Sequence, residues 1–224
     1  MNYRKDHIPR NTPNGRRPGN SMDATTITIH NTGNEKSTAA NERGWLTNPT
    51  NQREASFHIA VDDREAVECI PLNENAWHAG DGKNGPGNRK SIGIEICESG
   101  DYAKTLDNAA TLVAAMLKER GWSTDKLRRH YDWSGKICPR LMYDGGKWTG
   151  WDQFKQLVYV KLRGETNKVD KATAIVNGVK IEDAIIVGGR AYIPLRSAGD
   201  NIKGAVIDWD NKTKVAKLDT QGGK

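Results

Sequence analysis

The apolar residues of the first 163 positions fall into short alternating runs and longer helical runs. In ATTITIHNTG (24–33), two isoleucines alternate with threonine and histidine, and this period of two is typical of a half-buried strand. SIGIEIC (91–97) repeats the pattern and places Glu95 on the face opposite its isoleucines. Strands disfavour acidic residues, so Glu95 is an exception within an otherwise regular strand.

Further patterns predict a hairpin and three helices. SFHIAVDD and AVECIPL predict two strands joined by a turn at 62–65. The predicted helices are 37–46, 105–122 and 151 to about 163. Ser37 is the expected cap of the first helix. The strand at 24–33 is the first predicted element, and His7, which precedes it, is expected to be disordered.

Two segments, AWHAGDGKNGPGNRK (76–90) and RRHYDWSGKICP (128–139), lack a periodic pattern and are predicted as loops. Long irregular segments inside a compact domain are often functional. The second segment brings a histidine, a lysine and a cysteine into one short polar stretch, which makes it the first place to look for chemistry.

The chain changes character after the predicted closing helix. Residues 164–172 are polar and predict a linker. Residues 173–224 carry β-branched runs separated by two turn sequences, Asn177-Gly178 and Gly188-Gly189. We therefore expect a first domain over 1–163 and a small accessory domain of helix and strands. A core of about 50 residues is marginal by itself, so docking or self-association is expected.

Composition narrows the choice of partners. The 224 residues include 28% charged and 36% hydrophobic residues, without an apolar run long enough to insert into a membrane. The net charge of +6 suggests an acidic polymer as a partner. Basic residues are spread along the chain without an RNA-binding or helix-turn-helix motif, which favours anionic cell-wall polymers over nucleic acid. The N-terminus lacks the apolar segment of a secretory signal, so synthesis into the cytoplasm is expected.

The three cysteines lie far apart, at positions 69, 97 and 138, and do not suggest a disulfide framework. Cys69 and Cys97 are expected to be buried thiols. His30, His130 and Cys138 together would supply the three protein ligands of a catalytic zinc site. Their spacing alone leaves two alternatives open: the residues are incidental, or Cys138 is a nucleophile with His130 as its base.

Four motifs occur in a fixed order: TITIHNTG, SFHIAVDD, NAWHAGDGKNGPGNRKSIGIEIC and HYDWSGKICP. Together they resemble the zinc-dependent N-acetylmuramoyl-L-alanine amidases of the amidase type 2 family, most of all the Bacillus cell-wall amidases and the endolysins of their phages. The resemblance covers residues 20 to about 160. It implies an α/β (α+β) fold with a central mixed β-sheet flanked by helices, similar to peptidoglycan recognition proteins.

The resemblance also implies roles for individual residues. The zinc ligands fall on His30, His130 and Cys138, with one ion per catalytic domain. Glu95 corresponds to the general base and Lys136 to the residue that stabilises the oxyanion. Zinc would activate a water molecule that attacks the lactyl carbonyl of N-acetylmuramic acid and releases L-alanine of the stem peptide.

The resemblance is less exact at the residues expected to contact substrate. Some relatives have a tyrosine where this chain has Phe57, so a proton-transfer role cannot be assigned there. We expect Asn31, Phe57, Trp77 and His78 to line the substrate site, with a structural role as the alternative for His78. His58 is expected to be a packed structural histidine, because three ligands complete the zinc set.

Two classes of function follow: a peptidoglycan hydrolase, or a binding module that keeps the fold without hydrolysis. Cys138 favours the enzyme, because relatives that only bind commonly lack the third ligand. A phage or prophage endolysin, released to the wall through a holin, is the preferred source, with a host autolysin as the alternative. The substrate is expected to be Gram-positive peptidoglycan.

The C-terminal pattern VNGVKI…GGRAYIPLR…AVIDWDNKTKVAKL resembles the small repeat domain named after the N-terminal domain of copper amine oxidases. Copper is not implied, because residues 164–224 contain no histidine or cysteine. The resemblance suggests binding of the wall or of its anionic secondary polymers, with homodimerisation as the alternative.

Overall fold

The structure, a computed structural model, describes residues 1–164, 170–187, 190–210 and 215–220. The chain divides into two compact units, Met1–Arg163 and Gly164–Lys224. The strands of the first unit are β1 (Asn2–Lys5), β2 (Thr26–Asn31), β3 (Ile59–Val61), β4 (Glu65–Glu68), β5 (Ser91–Ile96) and β6 (Leu127–Arg129). Its helices are α1 (Ala39–Thr47), α2 (Pro86–Lys90), α3 (Tyr102–Glu119), α4 (Tyr131–Ser134) and α5 (Thr149–Leu162). No helix in these described ranges has the length and apolarity needed to cross a membrane.

The six strands form one mixed sheet in the order β1-β4-β3-β5-β2-β6. β5, β2 and β6 are parallel neighbours, whereas β3 and β4 form an antiparallel hairpin. This arrangement confirms the predicted hairpin and the central mixed sheet. It also places the carboxyl ends of three parallel strands side by side.

One face of the sheet is built from hydrocarbon. The isoleucines of β2 and β5 point to this face and are fully buried, and the amphipathic helices α3 and α5 pack over them. Asp101 begins α3 by accepting a hydrogen bond from the backbone N–H of Lys104. Burial of five isoleucines at about 2 kcal/mol each makes this face the main source of stability.

The opposite face is divided. At the β3–β4 hairpin it is apolar, and α1 packs there on Ala60 and Val67. At β2 and β5 it is polar, because Thr28, His30 and Glu95 point to this side. Thr28 and His30 are nevertheless buried, so the polar groups must find partners inside the protein.

The first residues depart from the prediction. β1 pairs in parallel with β4, and His7 Nε2 lies 2.7 Å from Glu68 Oε1, so the expectations of a first element at 24–33 and a disordered His7 are wrong. The sequence hides β1 because its side chains are polar. It gains order from backbone pairing and from ion pairs such as Arg4 with Glu65 at 2.8 Å.

Both predicted loops contain short helices. Residues 86–90 form α2, and residues 131–134 form α4, which ends at Gly135. Thr38, rather than Ser37, caps α1, because its hydroxyl accepts the N–H of Asn41. Helices of four or five residues give no periodic pattern, which explains why the sequence does not reveal them.

The second unit contains β7 (Asp170–Val176), β8 (Val179–Val187), β9 (Arg190–Tyr192), α6 (Leu195–Gly199), β10 (Ala205–Asp210) and β11 (Val215–Thr220). β7, β8 and β9 form an antiparallel sheet, and β10 pairs with β11. Asn177 and Gly178 both have positive φ and form the turn predicted between β7 and β8. Gly188-Gly189 and most of the predicted linker lie outside the described residues. Strand β7 begins at Asp170, so the linker prediction is wrong for 170–172, where backbone pairing with β8 continues.

Candidate metal centre and active site

The carboxyl ends of β5, β2 and β6 converge on one group of titratable side chains. His30 is the penultimate residue of β2, Glu95 is the penultimate residue of β5, and His130 follows directly after β6. His30 and Glu95 are paired in register. Because the three strands are parallel neighbours, these groups meet at the same edge of the sheet, where α/β proteins commonly bind ligands.

His30, His130 and Cys138 are buried and form a cluster that could hold a metal ion, with their ligand atoms within 4.8 Å of one another. His30 Nδ1 lies 3.1 Å from His130 Nδ1 and 3.7 Å from Cys138 Sγ. Tetrahedral zinc, with bonds of about 2.0–2.1 Å to nitrogen and about 2.3 Å to sulfur, separates its ligand atoms by about 3.3–3.6 Å. The donor set and its spacing therefore fit such an ion.

The two histidines are poised as neutral ligands. Burial, reinforced by the nearby His78, holds the pKa of His30 well below its usual range. Burial and the positive charge of Lys136 lower the pKa of His130 to about 4. A neutral imidazole has a free lone pair, which is the form that binds metals.

Cys138 is a poor nucleophile in this environment. Burial, together with the carboxyl of Glu95, raises the pKa of its thiol to about 12. His130, the proposed base, has a lowered pKa and cannot stabilise an imidazolium–thiolate pair. A bound metal ion deprotonates a coordinating thiol, so the geometry favours a ligand over a nucleophile.

Glu95 lies beside the cluster without belonging to it. Its Oε1 atom is 4.0 Å from His30 Nδ1. Its Oε2 atom is buried and has no hydrogen-bond partner in the described part of the chain. Burial, with a contribution from Glu42, raises the pKa of the carboxyl to about 8. A buried carboxyl oxygen without a hydrogen-bond partner is costly, so its presence here points to a chemical role.

A cavity of about 460 Å³ opens over the cluster. Glu95 and Lys136 both line it, and Lys136 has no ion-pair partner among the described residues. Its positive charge contributes to the low pKa of both histidine ligands and partly offsets the effect of burial on the pKa of Glu95. The cavity thus combines metal ligands, a carboxyl and a cation.

The four residues expected to contact substrate all line this cavity, but they differ in exposure and in the hydrogen bonds that they already make. The amide of Asn31 donates to Ile96 O and Tyr102 Oη and accepts from Leu141 N, so it serves the scaffold. Phe57 is only 4% exposed and belongs to the apolar cluster under α1. Trp77 is partly exposed, and its indole N–H donates to Gly15 O at 3.1 Å. Trp77 is therefore the most accessible of these side chains.

Two further histidines lie behind the cluster. Both ring nitrogens of His58 are engaged, one with Glu74 O and one with Gly93 N, which is consistent with a packed structural residue. The ring nitrogens of His78 contact His30 and Ser91 O, so neither faces the cavity. Burial, followed by His58, lowers the pKa of His78 to about 3.

Among the cavity-lining residues that the sequence analysis did not identify, three have large or charged side chains: Glu42, Trp45 and Arg53. Glu42 and Trp45 are three positions apart on α1 and so share one face of that helix. The sequence shows this spacing, but it does not indicate which face of α1 lies against the site. Cys69 and Cys97 are free and buried, as predicted.

The sequence matches known proteins over this same unit. A profile of the family Amidase_2, N-acetylmuramoyl-L-alanine amidase, matches residues 20–141. The N-acetylmuramoyl-L-alanine amidase XlyB of Bacillus subtilis (strain 168) is 50% identical over 149 residues, which are 65% of this chain and 45% of XlyB. The amidase CwlA of the same organism is 46% identical over 159 residues, 69% of this chain and 57% of CwlA. The chain spans about half the length of these curated relatives.

Solved structures of similar proteins match the same part of the chain. The catalytic domain of XlyA superposes with a TM-score of 0.64 at 44% identity, covering 70% of this chain and 99% of that domain. PlyL gives a TM-score of 0.61 at 40% identity, covering 70% of this chain and 97% of PlyL. The family profile spans more than half of the chain and includes His30, His130 and Cys138. The chain therefore belongs to the Amidase_2 family of N-acetylmuramoyl-L-alanine amidases.

Proposed function

We propose that the chain is a zinc-dependent N-acetylmuramoyl-L-alanine amidase that cleaves peptidoglycan between the lactyl group of N-acetylmuramic acid and L-alanine of the stem peptide. One observation carries the proposal: His30, His130 and Cys138 converge in a single cavity beside Glu95. Membership of the amidase family supports the same reaction.

Zinc is the proposed metal because two imidazoles and one thiol form a donor set that suits it. Three protein ligands leave one coordination position open, as catalytic zinc sites require. When bound, the ion would polarise the scissile carbonyl and acidify water.

The remaining chemistry falls to side chains of the chain itself. Glu95 accepts the proton of the attacking water and delivers it to the departing nitrogen of L-alanine, acting as general base and then general acid. Its buried, unpaired Oε2 atom leaves it free for this exchange. Lys136 supplies positive charge next to the carbonyl oxygen as negative charge develops there.

The experiment is digestion of purified Gram-positive cell walls, followed by mass spectrometry of the soluble fragments. The proposal expects lactyl-terminated glycan and new L-alanine amino termini, and expects both to disappear with a chelator and return with zinc. New reducing sugar ends, or lysis that a chelator does not affect, would contradict it. Wall binding without any product would instead indicate a non-hydrolytic binding module.

We further propose an endolysin role, in which the protein is made in the cytoplasm and reaches the wall after holin-mediated release. A match to a structure described as a mutant endolysin from Bacillus subtilis, at 43% identity, supports this role. A host autolysin is the alternative. Expression in a host with and without a co-expressed holin distinguishes the two, because an endolysin lyses the cell only when the holin is present.

For the second unit we propose binding to the wall or its anionic secondary polymers, with homodimerisation as the alternative. The resemblance of its sequence to an accessory module of Gram-positive surface proteins supports this role. Removal of residues 164–224 should lower co-sedimentation with walls while the cleavage of soluble muropeptides continues. Equal co-sedimentation, together with a change from dimer to monomer in light scattering, would favour the alternative.

A further inference from the structure

The glycine-rich segment between β4 and β5 carries His78 directly behind His30. The imidazole rings meet edge to face, with His30 Nε2 3.1 Å from His78 Nδ1. The other nitrogen of His78, Nε2, lies 2.9 Å from the carbonyl oxygen of Ser91. Both rings are buried, so neighbouring protein groups must supply their hydrogen-bond partners.

The carbonyl of Ser91 fixes where the protons lie. A carbonyl oxygen only accepts, so His78 Nε2 must carry a proton and donate it. In a neutral ring, His78 Nδ1 is then an acceptor, and His30 Nε2 must donate to it. His30 Nδ1 is left with a lone pair, and this is the atom that faces His130 and Cys138.

We propose that His78 is a positioning residue that holds His30 in its Nε2–H tautomer and aims Nδ1 at the metal. The inference rests on the proposed zinc site and assigns to it an outer partner that the ligand set alone does not reveal. Metal-bound histidines usually donate their second N–H to a protein acceptor, which orients the ring and raises the affinity for the metal.

The same segment also runs beside the second histidine ligand. A Cβ atom at Gly80, two residues after His78, would lie 3.2 Å from Nε2 of His130. The side-chain oxygen of Asn88 accepts the N–H groups of both His78 and Ala79, at 2.7 and 2.8 Å. Asn88 therefore fixes the backbone at His78, the outer partner of His30, and at the residue that follows it.

Gly93 shows that space has been left for His78. A Cβ atom at position 93 would lie 2.6 Å from Cγ of His78, closer than carbon atoms pack. Strand interiors disfavour glycine, and a close approach by another group is the usual reason to find one there. The strand that carries Glu95 thus has no side chain at the position where the imidazole of His78 lies.

Two substitutions of His78 test its two hydrogen bonds one at a time: the bond that it accepts from His30 and the bond that it donates to Ser91 O. In His78→Asn, the amide oxygen can occupy the position of Nδ1 and accept from His30. In His78→Gln, the longer side chain places its amide near the position of Nε2. The amide can then still donate to Ser91 O, but no group remains to accept from His30. His58→Gln is the matched control, because His58 is an equally buried histidine whose hydrogen bonds do not reach a ligand.

The first measurement is zinc affinity by competition with a chromogenic chelator on the full chain. His78→Gln should bind zinc about 10–100-fold more weakly than the unmodified protein, whereas His78→Asn and His58→Gln should stay within about threefold. Equal affinity in the Asn and Gln variants would overturn the inference. If the unmodified protein itself binds no zinc, the proposed zinc site fails first and the inference falls with it.

The second measurement needs no variant and is independent of folding losses. Two-bond ¹⁵N–¹H correlation spectra of the zinc-free protein report the tautomer of each histidine. The inference expects His30 and His78 as Nε2–H tautomers. A His30 in the Nδ1–H form would overturn it, even if zinc binds and cell walls are cleaved.

Discussion

At β2 and β5 the two faces of the central sheet differ in chemistry, one apolar and one polar, although the same strands build both. On β5, Ile92, Ile94 and Ile96 enter a hydrocarbon layer under α3 and α5, while Glu95 points into the metal-site cavity. The apolar face gains stability in proportion to buried area. The polar face holds buried histidines and a carboxyl oxygen without a hydrogen-bond partner, and burying such groups costs stability. Alternate residues of one strand therefore have different tasks: the isoleucines stabilise the fold, and Glu95 contributes to the site.

The largest effect is expected from removing a ligand on the polar face. His30→Ala should lower kcat/KM by at least about 10⁴-fold, equivalent to about 5.5 kcal/mol, because a two-ligand site no longer retains the ion. Stoichiometric zinc analysis of the purified variant, alongside wall digestion, is the measurement. Full zinc content with full activity would remove His30 from the site.

The next effect isolates the carboxylate. Glu95→Gln should lower kcat by about 10³-fold, or about 4 kcal/mol, through loss of general acid–base catalysis. The melting temperature should stay nearly equal, because the amide has almost the same size as the carboxyl and the Oε2 atom that it replaces makes no hydrogen bond to a described residue. Glu119→Gln at the exposed end of α3 is the matched control and should be neutral in both measurements. A variant that loses activity together with stability would indicate a structural role for Glu95.

The adjacent residue should give the opposite result. Ile94 is fully buried on the apolar face, so Ile94→Ala should destabilise the first unit by about 2–5 kcal/mol. Activity per folded molecule should remain within about twofold. Urea unfolding and the activity of the folded fraction test both statements. A large loss of kcat in a variant that is still folded would show that the two faces are coupled.

A smaller effect tests whether the polar face also contributes to packing. Thr28 Oγ1 contacts Ser91 Oγ at 2.6 Å and accepts the indole N–H of Trp133 at 2.8 Å. Thr28→Val removes the acceptor of that N–H and the partner of the buried Ser91 hydroxyl, and should cost about 1–3 kcal/mol. Thr26→Val is the control on the same strand face, because the Thr26 hydroxyl is buried and has no partner in the described part of the chain. Thermal unfolding should show the control unchanged or stabilised, and equal losses would refute the distinction.

The smallest effect concerns pH. Hydrogen bonds from Arg17 hold the pKa of Glu74 below its usual range, so ionised Glu74 stabilises the fold above about pH 4.3, the value in an unfolded chain. That stability disappears as pH falls through the lowered folded pKa. Glu74→Gln should therefore cost about 1 kcal/mol at pH 7 and progressively less toward pH 3. The cost of Ile94→Ala should not change over this range, and urea unfolding at both pH values compares them.

The sequence predicted the elements whose signal is local. The alternation in β2 and β5 and the helical spacing in α3 report a face that is uniformly buried, and such a face imposes a period. The motifs that resemble the amidase family also identified the residues that the fold brings together: His30, His130, Cys138 and Glu95. Here local pattern and family resemblance were sufficient.

Other features depend on partners that are distant in the chain. β1 is polar and becomes a strand only because β4 lies beside it, sixty residues later. Arg16 looks like a surface residue but is fully buried, where it donates to the carbonyls of Leu46 and Arg53 at 2.8 Å. The role of His78 depends on His30 and Ser91 together. None of these contacts leaves a periodic trace, so only the folded chain reveals them.

The parallel arrangement of β5, β2 and β6 has a consequence for how such a protein diversifies. His30, Glu95 and His130 lie at or directly after strand ends that the core fixes. Glu42, Trp45 and Arg53 belong instead to α1 and the segment after it. Helix and loop can exchange residues without moving the strand ends. Replacing residues 39–55 with those of a relative that has another host range is thus a way to change wall specificity while the metal ligands and Glu95 stay in place.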